Sequence, residues 1–104
     1  MDLNTFFIEN RKEIDDGRFI KNRDRIICAD GFTLSVQASR THYCTPRDDV
    51  GPYSKVEIGF PSEAITGEIV QYAENKNDLK GTVYAWVPIA LIEALIEEHG
   101  GVSK

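Results

Sequence analysis

His42 and Cys44 stand two residues apart in the stretch RTHYCTPRDDVGPYS, residues 40–54. A thiol near an imidazole is the raw material for a nucleophile and its base. Residues i and i+2 on a loop seldom meet with useful geometry, however, and no third residue is in evidence to orient the pair. Together with Cys28 and His99 they also supply the residue types of tetrahedral zinc. Their spacing matches no zinc pattern, and there is no C-x-x-C. Arg47, Asp48 and Asp49 are suited to a cation or a phosphate, yet neither an EF-hand spacing nor a Gly-rich phosphate loop is present. No metal, cofactor or catalytic set is therefore expected, and the chain reads as a non-enzymatic protein.

The same stretch carries a stronger signal as a surface. It joins two segments that read as strands, and connections of this length are unusual unless they are functional or disordered. Pro46 and Pro52 stiffen it. Tyr43, Arg47, Asp48, Asp49 and Tyr53 are its candidate contact residues. Tyr84 and Trp86, in a later strand, are candidate anchors on a sheet face, because Tyr, Trp and Arg dominate binding hot spots. Stacking on nucleic-acid bases is the other use of such a face.

Charge argues against that second use. Seventeen acidic residues against twelve basic ones give a formal −5. Net negative charge repels phosphate backbones, so no direct nucleic-acid binding is expected. An acidic protein can instead occupy the basic groove of a nucleic-acid-handling machine. The 104 residues are enough for one domain with one core. Neither a secretory leader nor a bilayer-spanning run of about 20 apolar residues is read. A cytoplasmic location, reduced thiols at Cys28 and Cys44 and no membrane partner are expected.

The elements that must position these residues follow from periodicity. Leu3, Phe6, Phe7, Asn10 and Ile14 recur at helical spacing, predicting a helix over residues 3–16, capped by Asp2 or Asn4 and stopped by Asp15-Asp16-Gly17. A short strand is expected over 18–21. Asp30-Gly31 predicts a two-residue type I′ hairpin turn pairing Ala29 with Phe32, Ile27 with Leu34 and Arg25 with Val36. Phe32, Leu34, Val36 and Ala38 alternate with Thr33, Ser35, Gln37 and Ser39, the mark of a half-buried strand. Val56, Ile58 and Phe60 alternate in the same way, with Lys55, Glu57 and Gly59 turned outward. Ser62 opens an expected helix to about residue 75, with Ile65, Ile69, Tyr72 and Ala73 inward. In the strand 82–87, Val83, Ala85 and Val87 share one face, and Tyr84 and Trp86 the other. A last helix, 89–99, buries Ile89, Ile92, Leu95 and Ile96 and ends at Gly100-Gly101. The sum is α+β: an antiparallel sheet of three to four strands with about three helices packed on one face and the other face open.

The runs ADGFTLSVQASRTHYCTPR (29–47), GPYSKVEIGFPS (51–62) and TVYAWVPIALIEALIEEHGG (82–101) resemble small accessory proteins encoded by bacteriophages and prophages. That resemblance implies a protein acting in the bacterial host cell. By analogy it suggests an inhibitor of host defence, of the anti-CRISPR kind, bound to a host protein or ribonucleoprotein complex. The alternative is a homo-oligomeric module, such as a homodimer, that binds a small nucleotide-type ligand through the open face and the Arg40/Arg47 pair.

Overall fold

The computed structural model describes residues 2–10 and 23–103, and the backbone of 12–13 and 19–20. Helix α1 (Leu3–Glu9) is followed by strands β1 (Lys12–Glu13), β2 (Phe19–Ile20), β3 (Ile26–Ile27), β4 (Thr33–Gln37) and β5 (Lys55–Gly59). A 3₁₀ turn (Gly67–Tyr72), β6 (Val83–Pro88) and helix α2 (Ile89–Glu98) complete the order. Strands β3-β4-β5-β6 form one antiparallel sheet in that order, while β1 and β2 pair separately. The fold is α+β. Leu3 and Phe7 of α1, Ile69 of the 3₁₀ turn, and Ile92 and Ile96 of α2 share one core with Leu34, Val36, Val56, Ile58 and Val87 of the sheet. Among the described residues, no helix is long and apolar enough to cross a membrane.

Three local readings change. Helix α1 stops at Glu9 rather than near residue 16. Asp2 caps its start, accepting from Asn4 N at 3.0 Å, and the Asn10 side chain takes up the Phe6 carbonyl at 2.9 Å. Lys12–Glu13 then pairs with Phe19–Ile20 as strand. Asp15 and Asp16, expected at the helix end, lie outside the described residues; of the short strand expected over 18–21, Phe19–Ile20 is strand β2 and residues 18 and 21 lie outside the described residues.

The hairpin is shifted by one residue: Ile26 pairs with Leu34, and Ile27 with Thr33. Ala29, Asp30 and Gly31 form a three-residue loop, closed by Cys28 N to Phe32 O at 2.8 Å and Gly31 N to Cys28 O at 3.0 Å. Only Gly31 has positive φ, at 95°. A one-residue slip exchanges the two faces of a strand. Ile26 and Cys28 are therefore buried and Ile27 is exposed. Asp30 is held by other partners: one carboxylate oxygen accepts from Phe32 N at 2.9 Å, and the other meets His99 Nδ1 at 2.6 Å. These bonds, that from the Phe32 amide foremost, hold the Asp30 carboxyl below its ordinary pKa. They also fasten the turn to the end of α2. There Gly100 N reaches Glu97 O at 3.0 Å and Gly101 N reaches Ile96 O at 2.9 Å, the paired bonds of a Schellman stop.

The third change is the helix expected over 62–75. Only Gly67–Tyr72 is helical, and it is 3₁₀. Ile65, Ile69 and Ala73 are still buried. Gly67 at φ 83° breaks the α pattern before it starts.

Candidate functional site

The site is built around an irregularity in β6. Val56 pairs with Val87, but Ile58 pairs with Tyr84, so Ala85 and Trp86 together oppose Glu57. That is a β-bulge, and the extra residue reverses the alternation beyond it. Tyr84 and Val87 consequently both face the core. Trp86 is left outside, 45% exposed, with φ 51°. A bulky residue at positive φ is a genuine outlier and costs on the order of 1–3 kcal/mol, sustained only where the surroundings fix it.

Those surroundings come from the long loop. The Trp86 amide, freed from the ladder by the bulge, donates to Tyr43 O at 3.1 Å. The Tyr43 amide donates to Glu57 Oε1 at 3.1 Å. Tyr43 is thus clamped by its backbone between β5 and β6. Its ring lies 5.0 Å from the Trp86 ring, centroid to centroid, and the Arg47 guanidinium lies 5.4 Å from the Tyr43 ring centroid. Arg47, Tyr43 and Trp86 form one row of cation, phenol and indole at the surface.

The loop is braced at several points. Thr45 N bonds Lys55 O at 3.0 Å, and Ser54 N bonds Thr45 O at 2.8 Å. Asn4 of α1 holds Tyr53 by both backbone groups, at 2.7 and 3.1 Å. The Tyr53 hydroxyl donates to Asp48 O at 2.8 Å, while its ring packs edge-on against Phe7 at 5.4 Å. Asp49 accepts from the Arg40 amide at 3.1 Å and lies 3.4 Å from Arg40 Nε.

Of the residues singled out in the sequence, Tyr43, Arg47 and Trp86 come together at the surface. Asp48 is exposed beside them in the loop. Asp49 is paired with Arg40. Tyr53 and Tyr84 do not present contacts at all, since both are buried. Tyr84 is sealed from solvent with its hydroxyl donating to Leu79 O at 2.5 Å, and the expectation of a sheet-face anchor is corrected by the bulge. Phe60, read as an inward residue of β5, is instead 59% exposed at φ 50°. The Arg25 guanidinium bonds its carbonyl. Nothing in the alternation signalled this; the nearest cue is Pro61, which restricts the backbone of the residue before it.

His42 and Cys44 are both buried. Cys44 Sγ donates to Ser39 O at 3.1 Å and approaches Pro46 O at 3.3 Å, and His42 Nδ1 meets Ser39 Oγ at 2.6 Å. Burial pushes the Cys44 thiol above its usual pKa, away from the thiolate a nucleophile needs. Burial likewise raises Cys28. Both thiols of the folded protein are expected to resist a thiol-specific reagent at pH 7.5, on a timescale set by opening of the fold, and to react at once in denaturant. Rapid labelling of one thiol in the native state would contradict this.

Burial also lowers the His42 pKa, against the opposing pull of Glu57 and with Arg23 reinforcing it. A histidine whose folded pKa lies below its unfolded value near 6.5 contributes stability that is complete above that pH. The contribution is lost as pH falls from about 6.5 towards the folded value. Stability measured in urea is expected to drop between pH 7.5 and 5.5, and His42→Gln is expected to flatten that dependence. An unchanged slope in the variant removes His42 as the cause.

Among the described residues, no group of three or more His, Cys, Asp or Glu side chains is placed to hold a metal ion. Compared with protein-family models, curated proteins and solved structures, the chain matches none of them.

Proposed function

We propose that this chain is a non-enzymatic binding protein, encoded by a bacteriophage, that blocks a host protein machine of the defence type. The Arg47–Tyr43–Trp86 row is its contact surface. The observation carrying the binding part is Trp86: an indole exposed at a strained backbone position, with its ring and amide both held by Tyr43. Strain of this kind gathers at sites where it serves a purpose. Trp, Tyr and Arg are the residue types that supply most binding energy at interfaces. The two rings are already ordered, so little entropy is lost on docking. The phage origin and the defence target rest on the sequence resemblance, and the formal −5 suits a basic target groove.

The test is expression in bacteria carrying an active CRISPR interference system, challenged with a targeted phage. The wild type is expected to restore plaque formation and Trp86→Gly to leave it blocked. Equal plaque counts with wild type, variant and empty vector contradict the defence target.

A further inference from the structure

An open groove of about 610 Å³ runs between α1 and the start of β3, and shares no residue with the aromatic row. Asp2, Thr5, Phe6 and Glu9 stand at i, i+3, i+4 and i+7, so one face of the helix forms a wall. Residues 24–27 form another, with Val102 beside them. The groove offers apolar surface: Phe6 and Val102 are half-buried against the core, and Ile27 is 43% exposed.

Strand β3 is an edge of the sheet. Residues 101–103 cover part of that edge: Ala29 N bonds Gly101 O at 2.9 Å, and Ser103 N bonds Ile27 O at 2.8 Å. The cover ends at Ile27. Backbone groups two residues apart point to the same side of a strand. Arg25, which leads into β3, therefore turns its N–H and C=O to the side on which Ile27 meets Ser103. Among the described residues, neither group of Arg25 has a hydrogen-bond partner. An unpaired edge of this kind is a template for a further strand, and a neighbouring groove receives that strand's side chains.

Charge selects which strand. Glu9 is exposed and has neither a hydrogen bond nor an ion pair among the described residues. Asp2 adds a second negative charge, although its oxygens already accept from Asn4 N at 3.0 Å and Thr5 Oγ1 at 3.2 Å. Asp24 has an interaction of its own. Arg25 is the basic residue of the lining, and its guanidinium is engaged across β4, on Thr33 Oγ1 at 3.0 Å and on the Phe60 carbonyl. The carboxylate left to a ligand is that of Glu9. A basic side chain complements it, and an acidic one is repelled by Glu9 and Asp2 together.

We propose that this groove docks an extended segment of a partner protein that carries both apolar and basic side chains. The segment adds to the β3 edge as a strand through the Arg25 backbone. It lays apolar side chains on Phe6, Ile27 and Val102 and brings a Lys or Arg to Glu9.

Fluorescence polarisation tests it with a labelled hexapeptide of alternating Val and Lys. The controls are a hexapeptide of alternating Val and Glu and the Val/Lys peptide N-methylated at alternate amides. The Val/Lys peptide is expected to bind, and to slow hydrogen exchange of the Arg25 amide. Each control is expected to bind at least about tenfold more weakly, the scale of a lost charge-assisted or backbone bond. Glu9→Lys, on an exposed helix position, is expected to reverse the preference towards the Val/Glu peptide. Trp86→Gly is expected to leave peptide binding unchanged, so this groove and the aromatic row fail separately. No binding at millimolar concentration, equal binding of the N-methylated peptide, or a preference unmoved by Glu9→Lys would overturn the proposal. So would a free chain that sediments as a dimer and whose Arg25 amide is already protected, since a second copy would then occupy the edge.

Discussion

Tyr84→Ala is expected to destabilise the fold by about 3–5 kcal/mol, the usual loss for a large aromatic removed from a core. The ring is fully buried, and its hydroxyl meets Leu79 O at 2.5 Å. Small domains hold only about 5–15 kcal/mol in total, so this change alone takes a large share. With a urea slope of about 2 kcal/mol per molar, the midpoint should fall by roughly 2 M. Tyr84→Phe keeps the ring but orphans the Leu79 carbonyl, and is expected to cost about 1 kcal/mol. The pair of values tests the bulge directly. On an unbulged β6, Tyr84 would share the outer face with Trp86, and alanine there would cost well under 1 kcal/mol.

Trp86→Gly is expected to separate stability from binding. Glycine at φ 51° relieves the left-handed backbone, worth about 1 kcal/mol or more. The lost ring contact with Tyr43 offsets that gain by a similar amount. Net stability should therefore move by less than about 1 kcal/mol in either direction. Partner affinity should fall by at least about 2 kcal/mol, close to thirtyfold, as for a central interface aromatic. Arg47→Ala should weaken binding less, because its cation–π contact with Tyr43 is solvent-exposed and such contacts are worth about 0.5–1 kcal/mol. A Trp86→Gly variant that unfolds would mean that the indole is structural.

Much of this was legible in the chain, and the reasons are specific. Phe32, Leu34, Val36 and Ala38 alternate cleanly and are all buried, because β4 runs regularly along its length. The helix stop at Gly100-Gly101 depends on glycine's tolerance of positive φ and can be read from residue type. In the long loop Tyr43 and Arg47 do come together, the Arg47 guanidinium 5.4 Å from the Tyr43 ring. What was hidden is parity. One extra residue in β6 moves Tyr84 from the outer face to the core, and one in the 29–31 turn exposes Ile27 and buries Cys28. Neither insertion leaves a mark in hydrophobic alternation, since Tyr, Ile and Cys suit either side of a sheet. Tyr53 was misplaced for another reason: its partners, Asn4 and Phe7, lie far off in sequence. Phe60 was lost to the same alternation that placed Val56 and Ile58 correctly.

The central claim is that Trp86, Tyr43 and Arg47 act together as a protein-binding surface. The most direct measurement is affinity enrichment from a bacterial host lysate with tagged wild type and tagged Trp86→Gly, quantified side by side after both are shown to be folded. The account predicts one protein or ribonucleoprotein retained near stoichiometrically by the wild type and depleted at least tenfold with the variant. The same retained set on both proteins would contradict it.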